Sequence, residues 1–218
     1  MTTTRTFQRA RKPEEIETRR ETLLAAAAAL FDEEGPQGAG LNAIAARAGF
    51  TKSNVYRYFE SREDVLLSLF LMELTAFVDA FEARVADCKA NDLDALAKAA
   101  ADQFTARPRF CALLSILNLT LEQNVSEAAV ISLKQAALKL NQRIAAAIVS
   151  RLPGATLEDG AWAGAMSATL VAGMWPGANP SRIAAKVLAR PEFAHLKPRM
   201  DRDLARAIRA LLASIAKR

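Results

Sequence analysis

Apolar residues return at three- and four-residue steps through almost all of this 218-residue chain, and alternating β-branched runs bounded by turn residues are missing. A period near 3.6 buries one face of a helix, whereas a strand needs a period of two. From Glu14 to about Glu34 the pattern runs through Ile16, Leu23, Leu24, Ala27, Leu30 and Phe31. It recurs in Leu66, Leu69, Phe70, Phe77, Phe81, Val85 and Cys88. Alanine, the best intrinsic helix former, is abundant, while the few breakers gather at segment ends. With 51% hydrophobic residues the chain can bury a sizeable core, and the reading is an all-α fold.

The stops set the boundaries. The glycines and proline of "EEGPQGAG" end the first helix, and a short second helix follows over residues 41–48. Gly49 ends that one in a sharp turn, and Thr51 is placed to cap a third helix reaching Phe59. Ser61 is placed to cap a fourth, running to about Lys89, with "SRED" resembling a capping box that has Asp64 in place of Glu or Gln. Further helices are expected from "ANDLD", over residues 108–123, 126–152, 156–174 and 181–189, and from Asp201 to the end. The longest apolar stretch, "AWAGAMSATLVAGMWPGA", is broken by Ser167, Thr169 and Pro176 and falls short of the about 20 apolar residues of a membrane span. It reads as helix buried in protein. Without a signal-peptide pattern at the N-terminus, the chain reads as cytoplasmic.

The net charge of +5 matters less than its distribution. The first twelve residues hold Arg5, Arg9, Arg11 and Lys12 without an acid, a basic arm over residues 1–13. Residues 41–59 carry Arg47, Lys52 and Arg57, again without an acid. The last helix is basic as well, so charge alone does not pick a binding face. Cys88 and Cys111 lie far apart in apolar surroundings, as buried thiols do.

Within residues 41–59, a helix, a glycine turn and a helix have the dimensions of a helix-turn-helix, whose second helix enters the major groove. Lys52, Ser53 and Asn54 occupy its first turn, where lysine can reach guanine and asparagine can pair with adenine. Tyr56 and Tyr58 can offer hydroxyls to phosphates, and Arg57 and Arg62 add positive charge for the backbone. The bland alternative is a short solvated helical hairpin, and spacing alone does not choose between them.

The stretch "LNAIAARAGFTKSNVYRYFESREDVLLSLF" resembles the DNA-binding signature of the tetracycline-repressor (TetR) family of bacterial transcription regulators. The matching positions are Ile44-Ala45, Ala48-Gly49, Thr51, Val55 to Phe59, and Arg62 to Val65. The resemblance implies an N-terminal three-helix DNA-binding domain over residues 14–62 and a larger C-terminal domain for ligand binding and dimerisation over residues 63–218. It implies base and phosphate contacts from Thr51, Lys52, Ser53 and Asn54, and phosphate contacts from Tyr56, Tyr58 and Arg62. It implies a homodimer on a pseudo-palindromic operator, most simply a repressor released by a small, largely apolar effector, with no cofactor, no metal and no membrane partner. Gly40 stands where the family usually has a hydroxyl cap, which leaves Asn42 as the candidate for that phosphate contact. Phe50 and Ser53 also depart from the pattern, so no relative's operator sequence transfers.

For the dimer, the sequence offers the small residues Ala161, Gly164, Ala165, Ala168 and Ala172, and the final stripe Leu204, Ile208, Leu211, Leu212 and Ile215. The alternative is that both sets bury intramolecular core. For the ligand pocket it offers Phe104, Phe110, Leu114, Leu117, Leu121, Trp162, Met166 and Leu170, with Asn118 and Glu122 as polar anchors. An aromatic and aliphatic set at helical spacing is also what a plain core looks like. An enzyme finds little support: His195 is the only histidine, and no metal-ligand spacing, phosphate loop or nucleophile elbow is present. A helical interaction module without DNA binding is the third class, and the basic arm and Tyr56-x-Tyr58 argue against it.

Overall fold

The computed structural model describes residues 13–117 and 120–216, and these form helices and short connections without a strand. Residues 1–12 of the basic arm, Asn118, Leu119, Lys217 and Arg218 lie outside the described residues, and Pro13 begins the first helix. The chain divides into two compact units between Val65 and Leu66.

The first unit holds α1 (Pro13–Glu34), α2 (Leu41–Ala48) and α3 (Lys52–Val55), and α4 (Arg62–Ala86) begins at its end. Leu23, Ala27, Leu30 and Phe31 of α1 are buried, as are Ile44 and Ala45 of α2 and Val55 of α3. A two-pronged ion pair joins α1 to α2, with both Arg47 guanidinium nitrogens 2.6 Å from the Glu33 carboxylate. Hydrogen bonding to Arg47 holds the Glu33 carboxyl below its ordinary range. Gly49 ends α2 at φ +70°, and the Phe50 amide donates to the Ala45 carbonyl at 2.9 Å, the six-to-one bond of a helix stop.

The third helix is shorter than its pattern suggests. Beyond Val55 the amides of Arg57 and Tyr58 donate to carbonyls three residues back, so the ribbon tightens before Phe59 instead of continuing as α-helix. Ser61 caps α4 by accepting from the Asp64 amide at 3.1 Å, and the Asp64 carboxylate accepts from the Glu60 amide at 3.0 Å.

The second unit continues α4 and adds α5 (Leu93–Thr105), α6 (Pro108–Ile116), α7 (Glu127–Val149), α8 (Leu157–Ala178), α9 (Arg182–Leu188) and α10 (Met200–Ile215). Side-chain caps start α5, α7, α8 and α9 at Asp92, Ser126, Thr156 and Ser181, and at Thr156 the reciprocal capping box with Asp159 is complete. Two of the sequence-read ends differ. α6 stops at Ile116, where the Leu117 amide turns back to Leu114 and Ser115 donates to Ala112, and residues 121–123 form only a 3-10 turn. α8 runs through Pro176, which sits in the last turn where a single backbone bond is lost.

Arginines tie α4 to its neighbours. Arg109 of α6 pairs with Glu73 at 2.9 Å, and Arg143 of α7 reaches both Asp79 and Glu82. Arg151 donates to the Val85 and Ala86 carbonyls at 2.9 and 2.8 Å, satisfying the open end of α4. α8 packs on α6, α7 and α10, and α10 packs also on α5. The final stripe was read as a dimer seam, but Leu204, Ile208, Leu212 and Ile215 are at most 8% exposed within one chain. That stripe packs on α5 and α8 within the chain, so its burial does not depend on a partner. Leu211 alone of that stripe is half-buried.

Two glycines let α7 and α8 approach. A Cβ at Gly160 would lie 2.7 Å from the Ala145 carbonyl oxygen, and one at Gly164 would lie 3.0 Å from the Ile144 methyl. Gly160→Ala should therefore destabilise the second unit by about 1–2 kcal/mol despite alanine's better helix propensity. Urea denaturation followed through Trp162 and Trp175, both on α8, reads this out.

Candidate nucleic-acid interface and ligand cavity

In the first unit the stretch after Gly49 splits into an inner and an outer face. Val55 and Phe59 point inward, at most 1% exposed. Thr51, Lys52, Ser53, Tyr56 and Arg57 are exposed, with Lys52, Ser53, Tyr56 and Arg57 at the one- and four-residue spacings of a single helical face. Asn54 is half-buried beside them, and Asn42 is exposed on the first turn of α2. The Lys52 ammonium lies 5.8 Å from the centre of the Tyr56 ring, which steadies both side chains while leaving their polar ends in solvent. Thr51 occupies the N-cap position, but its hydroxyl meets Ser53 at 3.1 Å instead of closing the cap. The first turn of α3 thus keeps amide donors available to an oxyanion.

Two expected phosphate contacts are placed otherwise. The Tyr58 hydroxyl is buried and has no hydrogen-bond partner among the described residues. The Arg62 guanidinium is held by Glu63 at 2.6 Å and Gln37 at 2.7 Å, so it braces its own unit. Sequence spacing could not separate these from Tyr56 and Arg57, because direction within a tightened turn decides which hydroxyl reaches water.

The second unit contains a partly open cavity of about 590 Å³, within the range of small-molecule sites. Phe70, Leu74, Phe77 and Phe81 of α4 form one wall with Phe104 of α5 and Phe110 of α6. The rings of Phe77 and Phe104 lie 4.4 Å apart between centres, and those of Phe77 and Phe110 5.3 Å apart. The facing wall is one face of α7: Leu133, Lys134, Ala137, Leu138, Asn141, Ile144 and Ile148. Among the sequence-read pocket residues, Phe104, Phe110, Leu114, Leu117 and Glu122 line the cavity. Leu121 is buried in the core away from it, and Met166 and Leu170 are half-buried outside its lining. Trp162 is 43% exposed on the outer side of α8. The α4 and α7 walls were missed as sites because their apolar spacing also describes core.

The small residues of α8 divide too. Gly164, Ala165, Ala168 and Ala172 line the cavity, and Gly164 also meets α7. Ala161 and Ala165 remain exposed, in line with Leu157, Thr169 and Gly173. Cys111 is fully buried and its thiol is pushed up to about 12 by that burial, while Cys88 is half-buried; both are free. His195 is exposed near the 3-10 turn Ala194–Leu196. No helix of the described residues is long and apolar enough to cross a membrane.

Two family models match this chain. "Bacterial regulatory proteins, tetR family" matches residues 23–69, and "Tetracyclin repressor-like, C-terminal domain" matches residues 71–217, well over half of the sequence. The chain belongs to the TetR family. It is a TetR-family transcriptional regulator, in a family of DNA-binding proteins that are not enzymes. No curated protein matched. Among solved structures, a putative transcriptional regulator from Rhodococcus sp. RHA1 has a TM-score of 0.63 at 15% identity, covering 91% of this chain and 95% of that one. The fatty acid degradation regulator FadR from Bacillus halodurans has a TM-score of 0.54 at 19% identity, covering 89% and 94%. SmeT, in a complex with triclosan, has a TM-score of 0.56 at 23% identity, covering 92% of each chain. At these identities the likeness is one of fold.

The contrast between the two tyrosines is testable. Tyr56→Phe should weaken DNA binding several-fold, by the about 0.5–1.5 kcal/mol of one hydrogen bond. Tyr58→Phe should leave DNA binding unchanged and raise stability slightly, since it removes a buried hydroxyl without a partner. Fluorescence anisotropy on labelled operator DNA and thermal unfolding check the pair.

Proposed function

We propose that this TetR-family regulator is a homodimeric repressor, working in the bacterial cytoplasm, which leaves its operator when a small, largely apolar ligand fills the cavity of the second unit. The observation that carries the reading is the exposed row Lys52, Ser53, Tyr56 and Arg57, displayed on a glycine-stopped turn in a chain whose other unit holds an apolar cavity. Thr51, Lys52, Ser53, Asn54 and Arg57 read bases and phosphates, and Asn42 and Tyr56 reach phosphates. SmeT's complex with triclosan supports ligand control in a protein of the same fold.

The dimer forms through the outer side of α8. Residues 160–178 carry no charge, and Leu157, Ala161, Trp162 and Gly173 leave an exposed, uncharged strip along it. Small side chains there allow close helix approach. Two-fold pairing through that strip would present two reading faces to half-sites about 34–36 Å apart or a multiple of that. Ligand release is a population shift, limited to the ratio of ligand affinities for the bound and released states.

Binding to the DNA upstream of its own gene, measured across salt concentrations, tests the reading. Tight sequence-dependent binding should weaken steeply with salt, and Lys52→Ala should reduce the logarithmic slope by about 1 per half-site. Sequence-independent binding at every salt would sink it. Ala161→Glu should give a monomer by light scattering and cost operator affinity at least tenfold, through loss of the second half-site.

A further inference from the structure

The cavity is mostly apolar, and one ion pair stands on its lining. Along its α7 wall, Lys134 stands near one end and Ile148 at the other, about 21 Å apart at the rise of a helix. Asn141 lies midway, and Ser167 of α8 spends its hydroxyl on the Ala163 carbonyl at 2.7 Å. At the Lys134 end, the ammonium donates to the Glu122 carboxylate at 2.5 Å. Both residues line the cavity. The two partners differ in exposure: the Lys134 side chain is 57% exposed and that of Glu122 only 20%.

That difference sets which charge a ligand can take over. Lysine sits on a flexible four-carbon stem and keeps its hydration when it swings into water. The carboxylate is recessed and stays. A ligand bringing an ammonium can replace Lys134 on Glu122, and the displaced lysine is already mostly in solvent. A ligand bringing a carboxylate would sit against Glu122, and like charges side by side are costly. A neutral ligand leaves the pair closed and gains nothing from it.

We propose that the effector is a lipophilic cation, an elongated apolar body carrying one ammonium or amidinium group, whose charge takes the place of Lys134 on Glu122 while its body lies between the phenylalanine wall and α7. This rests on the reading of the cavity as the effector site. Glu122 fixes the head by a charge-assisted hydrogen bond, and Phe77, Phe104 and Phe110 receive the apolar body.

The test uses three probes with one tail: n-decylammonium, n-decanol and n-decanoate, each below its aggregation concentration. Calorimetry with the full-length protein should give about tenfold tighter binding for the ammonium than for the alcohol, with the carboxylate weakest. Glu122→Gln should remove the preference for the ammonium, and Lys134→Met, by deleting the competitor, should strengthen ammonium binding. Tighter binding of decanoate, or loss of ammonium binding in Lys134→Met, would overturn the cation assignment alone. Cavity-filling Ala168→Phe and Ala137→Trp, two independent variants, should each abolish binding of all three probes. No binding of any probe to the unaltered protein, or binding that both variants leave untouched, would overturn the cavity reading beneath it.

Discussion

Helix α8 is the constraint from which the second unit follows. Its first turn holds Glu158 and Asp159, and the rest of its length is uncharged, so water is a poor partner for most of its surface. Gly160 and Gly164 bring it close to α7 at the cost of helix propensity, and the apolar stripe of α10 covers another side. α4 reaches α7 through the Arg143 ion pairs, and α6 packs on α8. The phenylalanines of α4 and α6 stack on one another, and the space left over is the cavity. An apolar space of this size forfeits packing that a tighter core would gain. That forfeited packing is what supports the proposal of a ligand in this space.

Charge divides labour in a similar way. Arg109, Arg143 and Arg151 are engaged with α4, and Arg47 and Arg62 are engaged within the first unit. Lys52 and Arg57 are exposed on the reading face, where partners come from outside. A modest net charge can therefore conceal a local cationic surface, since Arg47, Arg62, Arg109 and Arg143 are each paired with a carboxylate.

The sequence made the helices legible because periodicity and caps are local. α2, Gly49 and the start of α8 stand where the pattern puts them. It left open what covers each apolar face, because periodicity identifies a buried side without naming its neighbour. The stripe of α10 is core within one chain, and Ala168 and Ala172 face a cavity. The α4 and α7 walls read as core, which they also resemble chemically. Tyr58 and Arg62 had the right residue types for phosphate, and only the tightened turn and the Gln37–Glu63 clasp turned them inward.

The fold of the first unit is anchored from beneath α3, through Val55 and Phe59, and by a backbone turn at Gly49. Lys52, Ser53, Tyr56 and Arg57 contribute little to that core. Exchanges among them are close to neutral for stability, since surface substitutions away from special features shift it by about 0.5 kcal/mol or less. Operator preference in such a lineage can drift through successive single replacements while the scaffold stays folded, so new binding sites on a chromosome are reachable without passing through an unfolded ancestor.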